Sequence, residues 1–494
     1  MTSNPLIAAI ERTFGMVPTA HQRQALETFS RFMADRDERT MLILRGSAGT
    51  GKTSLASAFV RTLARSGYPF VLLAPTGRAA KVFSLNSGQP ASTIHRCIYR
   101  QKTMDIDGGA FALNYNKLRR TLFFVDEASM INNAGMGDTG FGTGCLLDDL
   151  VEFVYSGTSC RLVLIGDTAQ LPPVGESQSP ALTASVMSAY GLHVYECDLH
   201  EVLRQSRESG ILFNATLIRE MIARDHTSMM PPIRLQGFAD ICLVQGNELI
   251  EMLTSSYDRA GMDETMVITR SNKRANIYNK GIRQAILGRE EELERGDMLM
   301  VVRNKYIMSA STSSKAEEAL LPGHTSVSVA EEPPMQFIAN GDRARVLRVR
   351  RQREVYGFHF ADVLLDFPDY SNKELQATVI TDSLHSDAPA LTKEQNENLF
   401  MAVLNDYADI PTKAERMKKV REDCHFSALQ VKYAYAITCH KAQGGQWQHV
   451  YLDQGYMTDD MLNSDYFHWL YTAFTRATEK LFLVNWPQKA LESR

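Results

Sequence analysis

The hydrophobic pattern of residues 1–190 is a series of short apolar runs separated by helical stretches. The runs are continuous rather than alternating, which is typical of strands buried on both faces. Four of them end in a Gly, Pro or acidic residue: "MLILRG" (41–46), "FVLLAP" (70–75), "TLFFVDE" (121–127) and "RLVLIGD" (161–167). Strands that alternate with helices predict a parallel sheet wrapped by helices. Because ligands bind beyond the carboxyl ends of such strands, we expect the chemistry at these endings.

A second α/β region begins near Cys197 in the same pattern. Its predicted strands are "TMVITR" (265–270), "KYAYAITC" (432–439), "HVYLDQG" (449–455) and "KLFLVNW" (480–486). The long gap between the first and second of these strands predicts an insertion into the second region.

The predicted insertion has a pattern of its own. A stretch rich in Ser, Ala and Glu at about 309–334 predicts a flexible loop. Beyond Gln336, three alternating runs predict successive antiparallel strands that form a small β-barrel. Residues 391–407 then read as a helix, with Thr392 and Gln395 spaced as a capping box.

One more element interrupts the first region. Residues 96–118 contain two partly alternating arms on either side of Asp107-Gly108-Gly109, which predicts an inserted β-hairpin.

Composition narrows the class of protein. With 44% apolar and 22% charged residues the chain is an ordinary globular protein, and its formal net charge of −4 leaves nucleic-acid contacts to local clusters. The seven cysteines include no CxxC pair, which argues against a disulfide framework or a zinc site and favours a reducing compartment. Without a signal peptide or an apolar stretch that could span a bilayer, we expect a cytoplasmic protein with no membrane partner.

A phosphate-binding loop follows the first predicted strand. "GSAGTGKT" (46–53) has the spacing in which glycines let backbone N–H groups surround phosphates. Lys52 supplies a charge to the β- and γ-phosphates, and the Thr53 hydroxyl can bind Mg²⁺. The nucleotide-binding residues predicted here are Ser47, Ala48, Gly49, Thr50, Gly51, Lys52, Thr53 and Ser54.

Two later strand ends supply polar partners for that loop. Asp126 would hold Mg²⁺, and Glu127 can orient or deprotonate the attacking water. Gln170, in "IGDTAQLPPVG" (165–175), can position water beside the γ-phosphate. Taken by itself, this last stretch is more typical of a Pro-rich turn.

Five motifs stand in a fixed order along the chain: "GSAGTGKT", "VDEAS", "GDTAQLPPVG", "ITCHKAQGGQW" and "LYTAFTRATEK". Together they resemble the motif set of superfamily 1 helicases, in particular the RecD/Dda/Pif1-like branch (superfamily 1B). The resemblance extends from Gln22 to Val484. It implies an α/β fold with two RecA-like parallel-sheet domains, in which the hairpin is a pin and the barrel an SH3-like insertion.

The same resemblance divides the chain. We expect a RecA-like domain 1A at residues 1–190 and the first part of domain 2A at 191–295. An inserted SH3-like domain 2B would occupy 296–425, and the second part of domain 2A would occupy 426–494.

The resemblance also gives roles to residues far from the phosphate-binding loop. Arg476 and Arg204 would reach the γ-phosphate from the second domain, where a permanently charged planar fork suits phosphate oxygens. The alternative for Arg476 is a surface ion pair with Glu479. Gln22 resembles the adenine-reading glutamine of the family. Gln446 stands where the family often has a Glu that contacts the ribose.

A track for single-stranded DNA is implied by further matches. Its members are short, hydroxyl-rich and basic, which fits contacts to the backbone rather than to bases. The predicted contacts are Pro75, Thr76, Gly77, Arg78, Lys81, Ser92, Thr93, His95, Arg270, Asn304, Asn340, Thr438, His440 and Lys441. Phe111, near the hairpin turn, would stack on a base pair if the hairpin is a pin. An ordinary surface hairpin is an equal alternative.

The predicted function is that of an ATP- and Mg²⁺-dependent DNA helicase. It would translocate on single-stranded DNA, in the 5′→3′ direction that the resemblance implies, and unwind duplexes at single-strand/double-strand junctions in replication or repair. Two alternatives remain open: an RNA-directed superfamily 1 helicase, and a non-catalytic nucleotide-binding subunit of a DNA-repair assembly. A monomer is compatible with this interpretation, and no sequence feature identifies a protein partner.

Overall fold

The computed structural model describes residues 4–101, 111–133, 135, 142–201, 208–306, 337–370 and 372–487. Residues 4–199 form a first lobe around a six-stranded parallel sheet of order β3-β2-β6-β7-β1-β8. The strands of this lobe are β1 (Thr40–Gly46), β2 (Phe70–Ala74), β3 (Ala91–Thr93), β4 (Tyr99–Gln101), β5 (Phe111–Leu113), β6 (Leu122–Val125), β7 (Arg161–Gly166) and β8 (His193–Leu199).

Helices cover both faces of this sheet. They are α1 (Pro5–Phe14), α2 (Ala20–Ala34), α3 (Lys52–Ser66), α4 (Gly77–Ser87), α5 (Ile94–Ile98), α6 (Leu146–Ser156) and α7 (Ala184–Ala189). Successive residues of β1 lie in different cores: Met41 and Ile43 pack on one face, Leu42 and Leu44 on the other. The continuous apolar runs of the sequence follow from this two-sided burial.

The boundary predicted between residues 190 and 191 is wrong as a division between the two sheets. Strand β8 lies beyond it and still pairs in parallel with β1 of the first sheet. Glu196 and Asp198 interrupt the apolar pattern of β8, and the structure pairs both with Arg45 of β1. An edge strand tolerates such acids, so the sequence did not show it as a buried strand.

The predicted hairpin is present as far as the structure describes it. Strands β4 and β5 pair antiparallel, with Tyr99 opposite Leu113 and Gln101 opposite Phe111. The predicted turn at Asp107-Gly108-Gly109 lies outside the described residues.

Residues 208–297 and 434–487 form a second lobe around a parallel sheet of order β18-β10-β19-β20-β9. Between its two parts lies the barrel region, residues 298–433. The barrel is closed by β11, β14, β15, β16 and β17, in which only the β16–β17 pair is parallel. The two RecA-like sheets and the small inserted barrel of the predicted fold class are therefore confirmed.

The elements of these two parts follow in chain order. Strands are β9 (Ile241–Val244), β10 (Thr265–Thr269), β11 (Met298–Val301), β12 (Lys305–Tyr306), β13 (Phe337–Ile338), β14 (Arg343–Val355), β15 (Phe358–Phe367), β16 (Lys373–Ile380), β17 (Leu429–Tyr433), β18 (Ala436–Thr438), β19 (Trp447–Asp453) and β20 (Ala477–Val484). Helices are α8 (Gly210–Ala223), α9 (Leu249–Arg259), α10 (Asn272–Gly281), α11 (Asp382–His385), α12 (Lys393–Asp406), α13 (Lys413–Glu422), α14 (Cys439–Ala442) and α15 (Ser464–Phe474).

The stretch 432–439 is not the single strand that the sequence predicts. The structure divides it between β17 of the barrel and β18 of the second sheet. The Asn279 side chain accepts hydrogen bonds from the amides of Tyr435 (3.1 Å) and Ala436 (2.8 Å), so the backbone leaves the barrel at this point.

Two other predictions for the insertion have different outcomes. Helix α12 begins at the predicted capping box, in which Thr392 and Gln395 each accept from the other's backbone amide. The predicted flexible loop at about 309–334 lies outside the described residues.

Candidate functional site

The P-loop, residues 46–53, connects β1 to α3 at the carboxyl edge of the first sheet. Gly51 has φ 76°, a left-handed conformation that favours glycine, and α3 begins at the next residue, Lys52. The Thr50 hydroxyl donates to the Ser47 carbonyl at 2.8 Å, which folds the loop back on itself. The free amides at the start of α3 therefore face the loop, an arrangement that binds phosphate.

Gln22 lies under this loop, on α2. Its Nε2 donates to the Thr50 carbonyl at 2.9 Å, and its Oε1 accepts from the Thr19 amide at 3.0 Å in a capping box. Gln22 is buried, with 1% of its surface exposed. In this structure the amide thus holds the P-loop from below, whereas its predicted contact with adenine remains a prediction.

Two buried carboxylates follow neighbouring strands beside Lys52. Asp126 comes after β6 and Asp167 after β7. Burial and then the charge of Glu127 raise the pKa of Asp126 to about 6, while Lys52 opposes the shift. Burial also raises the pKa of Asp167, against the lowering effects of Lys52 and of a hydrogen bond from Tyr471. Lys52 therefore acts electrostatically on both acids.

The site contains buried polar atoms that lack a protein partner. Glu127 Oε2 and Gln170 Oε1 are buried and accept no hydrogen bond from the described residues. A cavity of about 410 Å³ is lined in part by Thr53, Asp126 and Glu127. Hydroxyl and carboxylate oxygens are the ligands that Mg²⁺ prefers, so this set of residues fits that ion. Buried acceptors without donors are also suited to hold a water molecule.

The second lobe reaches the P-loop through Tyr471 of α15. The Tyr471 hydroxyl accepts from the Ala48 amide at 2.9 Å and donates to Asp167 Oδ2 at 2.6 Å. It therefore links the P-loop, the acidic site and the second sheet through one oxygen atom.

The loop after β7 is held by the second lobe as well. Thr472 Oγ1 accepts from the Leu171 amide at 2.7 Å, and Gln443 Nε2 donates to the Leu171 carbonyl at 2.6 Å. The His468 ring lies 2.9 Å from the Ala169 carbonyl. Gln170, the predicted water-positioning residue, thus lies between two residues that are bound to the opposite lobe.

Arg476 is buried just after α15, with 2% exposed. Its guanidinium donates to the carbonyls of Thr472 (3.0 Å) and Gly445 (3.1 Å) and to the Thr475 hydroxyl (3.1 Å). All three acceptors are neutral and belong to the second lobe. The alternative of an ion pair with Glu479 is not what the structure shows, because Glu479 lies beside His449. Arg204 lies outside the described residues.

Gln446 lines the same cavity as Thr53 and Asp126. Its backbone carbonyl accepts a hydrogen bond from Arg78, whose guanidinium also lies over the Trp447 ring at 4.6 Å. The structure thus brings Gln446 to the nucleotide cavity, although it leaves the predicted ribose contact untested.

The first predicted DNA contacts follow β2. Pro75 connects that strand to Thr76, whose hydroxyl caps α4 by accepting from the Ala79 amide at 3.2 Å. Gly77 lies against the barrel region, since an added Cβ would lie 2.6 Å from Asp342 Oδ1. The start of α4 therefore faces a carboxylate of the barrel region in this structure.

Arg78 and Lys81, on α4, both contact groups outside the first lobe. Arg78 lies 3.8 Å from Glu264 and 4.0 Å from Asp369. Lys81 donates to the Pro368 carbonyl at 2.7 Å and lies 3.5 Å from Asp369. Both predicted DNA-binding cations thus bridge the first lobe to the rest of the chain.

Ser92, Thr93 and His95 lie together at the end of β3 and the start of α5. Thr93 is buried and caps α5 by accepting from the Arg96 amide at 3.3 Å. Burial lowers the pKa of His95 to about 4, so this ring is neutral at physiological pH. Phe111 lies on β5, and the position of its side chain is outside what the structure describes.

Three predicted DNA contacts of the second half meet in one cluster. Asn304 Oδ1 accepts from the Asn340 amide at 2.6 Å, and Lys441 donates to Asn340 Oδ1. Burial and the charge of Lys432 lower the pKa of Lys441 to about 8. Thr438 and His440 stand beside this cluster in sequence, at the start of α14.

Arg270 is separate from that cluster. It is exposed at the end of β10, and its guanidinium lies 5.6 Å from the Tyr466 ring and 5.9 Å from the Trp469 ring.

Sequence reasoning missed several residues of the nucleotide site. Asp167 had a signal, because it ends a predicted strand beside the one that carries Asp126. Tyr471 and Thr472 lie in the motif that drew attention to Arg476. Arg219 of α8 donates to the Ser47 hydroxyl, and no local pattern marks it.

Comparison with known proteins agrees with this layout. Residues 18–225 match the AAA domain family, and residues 433–484 match the UvrD-like helicase C-terminal domain family. The P-loop and the first match together make this a nucleotide-binding site.

Two curated relatives are similar over parts of the chain. The ATP-dependent RecD2 DNA helicase of Deinococcus radiodurans is 34% identical over 137 residues, which are 27% of this chain and 16% of that protein. The ATP-dependent DNA helicase dda of Enterobacteria phage T4 is 24% identical over 274 residues, 54% of this chain and 57% of that protein. The chain thus spans less than two thirds of either relative.

Among solved structures, Bacteroides Pif1 bound to ssDNA is 15% identical with a TM-score of 0.43, covering 97% of this chain and 95% of that one. Among the described residues, no helix combines the length and the apolar character needed to cross a bilayer. The two family matches fall on the two lobes in the order of the motifs, and together with the two helicase relatives they support the resemblance of the chain to superfamily 1B helicases of the RecD/Dda/Pif1-like branch.

Proposed function

We propose that this chain is an ATP-dependent DNA helicase that translocates on single-stranded DNA, in the 5′→3′ direction, and unwinds duplex DNA. The observation that carries the proposal is the contact of α15 with both the P-loop and Asp167 through Tyr471. A nucleotide bound at the P-loop would lie where the two lobes meet, so its presence would change how the lobes contact each other. ATP turnover can therefore drive relative motion.

The residues of the first lobe bind the nucleotide and prepare the water. The P-loop amides and Lys52 hold the phosphates, and Thr53 and Asp126 would hold Mg²⁺. That ion, when bound, neutralises charge that develops on the phosphates. Glu127 and Gln170, whose free oxygens are buried at the site, would orient the attacking water.

The second lobe would contact the γ-phosphate of bound ATP. Arg476 and Arg204 are the proposed cations on this side. In the structure Arg476 donates only to neutral oxygens. A buried guanidinium gains more from an anion than from carbonyl groups, so a phosphate would be a better partner. Rotation of the lobe that brings Arg476 to it would also move α15 relative to the P-loop.

The DNA track is divided between the moving parts. Thr76, Gly77, Ser92 and Thr93 belong to the first lobe, whereas Asn340, Thr438 and Lys441 belong to the barrel region and the second lobe. Alternate closing and opening would therefore shift one grip on the backbone relative to the other. The hairpin β4–β5, at the edge of the first lobe, is the proposed pin.

The test measures ATP hydrolysis with and without single-stranded DNA, and then unwinding of duplexes with either a 5′ or a 3′ tail. We expect stimulation by DNA, unwinding of the 5′-tailed duplex only, and loss of both activities in Lys52→Ala. RNA of equal length serves as the matched substrate. Stronger stimulation by RNA would favour an RNA-directed enzyme. A rate of ATP hydrolysis that is the same with and without nucleic acid would refute the proposed helicase function.

A further inference from the structure

Arg219 places a positive charge of the second lobe against the P-loop. It lies on α8, and its Nη1 donates to the Ser47 hydroxyl, 172 residues away in sequence. Its neighbour Glu220 pairs with Arg224 at 3.6 Å instead. Within the described part of the chain, no carboxylate forms an ion pair with Arg219, so its charge is balanced by no acid there.

Arg219 lies close to the residues that connect the P-loop to the buried acids. Ser47 precedes Ala48, whose amide donates to Tyr471, and Tyr471 in turn donates to Asp167. The charge of Arg219 acts on Tyr471, where it lowers the pKa against the larger effect of burial. On Asp167 the charge of Lys52 lowers the pKa, and the charge of Glu127 raises it. Arg219 therefore belongs to the cluster in which the phosphate, the acids and the water-positioning groups would meet.

Helix α8 is firmly attached to the second lobe. Its residues Ile211, Ala215 and Ile218 are buried in the core that also contains β19 and β20. Asn214 Nδ2 donates to the Gly210 and Arg234 carbonyls, both at 2.8 Å. The helix packs against α15, so Arg219 and Tyr471 are carried by one rigid unit. A movement of the second lobe moves both together.

The present partner of Arg219 is a poor match for its charge. A serine hydroxyl is neutral and accepts from a single N–H, whereas a guanidinium fork fits two phosphate oxygens and forms charge-assisted hydrogen bonds. The P-loop amides direct a nucleotide's phosphates toward the same place. The Arg219 side chain is long and flexible, so it needs only a short movement to exchange the Ser47 hydroxyl for a phosphate oxygen as its partner.

We propose that Arg219 contacts the outermost phosphate of bound ATP and is a catalytic arginine in addition to Arg476 and Arg204. The catalytic role of Arg219 rests on the proposed function, whereas its contact with bound ATP does not. Arg219 would distinguish ATP from ADP, because only ATP carries a phosphate at the Ser47 side of the loop. It would also stabilise the charge that develops as that phosphate is transferred to water.

The test compares Arg219→Ala and Arg219→Lys with Arg224→Ala, a control at the residue that directly follows the same helix and whose side chain is 69% exposed. Binding of AMP-PNP and of ADP is titrated separately, each with Mg²⁺ and without DNA. We expect Arg219→Ala to weaken AMP-PNP about tenfold or more and ADP less than about twofold, as loss of a charge-assisted hydrogen bond implies. Arg219→Lys should fall between, and Arg224→Ala should match the wild type.

Turnover gives the second readout. In Arg219→Ala we expect kcat to fall by at least about tenfold, on the scale of a missing arginine finger, with little change in the melting temperature of the nucleotide-free protein. Equal weakening of ADP and AMP-PNP, or no weakening of either, would overturn the proposal and leave Arg219 as a contact between lobes.

This outcome is separable from failure of the proposed function. The ratio of the two affinities requires neither DNA nor hydrolysis, whereas the helicase proposal is decided by the response of the wild type to DNA.

Discussion

At the scale of single residues, Tyr471 shows how one hydroxyl connects the parts of the nucleotide site. It accepts from the Ala48 amide and donates to Asp167. Burial raises the pKa of Tyr471 well above its ordinary value, so the phenol stays protonated and remains a donor at physiological pH. Because P-loop amides bind phosphate, we expect Tyr471 to compete with a nucleotide for the Ala48 amide.

The substitution Tyr471→Phe removes this competitor and keeps the aromatic ring. We expect ADP to bind about two- to tenfold more tightly, since a net hydrogen bond of about 1 kcal/mol no longer has to be broken. Titration of the protein with a fluorescent ADP analogue measures the change. Tyr456→Phe, at an exposed tyrosine of the same lobe, is the control. Unchanged or weaker binding in Tyr471→Phe would show that the hydroxyl does not oppose the nucleotide.

At the scale of elements, the start of α4 and the barrel region are joined by a buried carboxyl group. Asp342 Oδ2 accepts from the Ala339 amide and the Tyr370 hydroxyl, both at 2.7 Å, and Oδ1 lies beside Gly77. Burial, and to a smaller degree the charge of Asp369, raise the pKa of Asp342 to about 7, although these donors act in the opposite direction. The contact is therefore formed best with a protonated Asp342.

This raised pKa predicts a pH dependence of stability. Between the ordinary value of 3.8 and the folded value of about 7, the folded state keeps a proton that the unfolded state has lost. Stability contributed by the protonated carboxyl is thus complete at low pH and is lost as the pH rises through about 7. We expect the melting temperature of Asp342→Asn, which cannot ionise, to fall less than that of the wild type between about pH 5 and pH 8.

Differential scanning fluorimetry across this range measures the effect. Asp409→Asn is the matched control, because Asp409 is exposed. The melting temperature of this variant should depend on pH in the same way as that of the wild type. A parallel pH dependence of Asp342→Asn and the wild type would contradict the assignment to Asp342.

At the scale of the whole molecule, the barrel and the second sheet share one hydrophobic core. Val346 and Leu365 of the barrel belong to the same cluster as Val450 and Leu452 of the second sheet. We therefore propose that residues 4–199 move as one unit and that the second lobe moves together with the barrel region. This division replaces the predicted boundary at residue 191 and retains the inserted barrel as part of the moving unit.

A buried ionic cluster reinforces the junction between barrel and second sheet. Asp297, at the start of β11, is fully buried and accepts from Arg283 (2.9 and 3.0 Å), Arg289 (2.7 Å) and the Tyr435 hydroxyl (2.9 Å). Removal of one partner of a buried ion pair leaves an uncompensated charge, which costs about 3–5 kcal/mol. Here two arginines would lose their acid.

We expect Asp297→Ala to reduce the free energy of unfolding by about 3–5 kcal/mol, and to do so in the transition that reports the second lobe and the barrel. Urea unfolding followed by tryptophan fluorescence is informative, since Trp447, Trp469 and Trp486 all lie in the second lobe. Asp409→Ala, at an exposed acid, should leave the transition in place. A shift as small as that of the control would mean that the cluster does not hold this junction.

Much of the layout was decided locally and could be predicted. The strands of the first sheet appear as continuous apolar runs because both faces are buried. The P-loop is marked by its own glycines, and α12 begins at a capping box four residues long. These features depend on residues that are close in sequence, so a short stretch contains the necessary information. The order of motifs then indicated two lobes and a family.

Contacts between distant residues could not be obtained in that way. The acids of β8 pair with Arg45 of another strand, and the backbone leaves the barrel where Asn279 binds its amides. Arg219 and Tyr471 contact the P-loop because the second lobe packs on the first. The residues adjacent in sequence do not indicate these contacts, because tertiary packing brings together residues that are far apart along the chain.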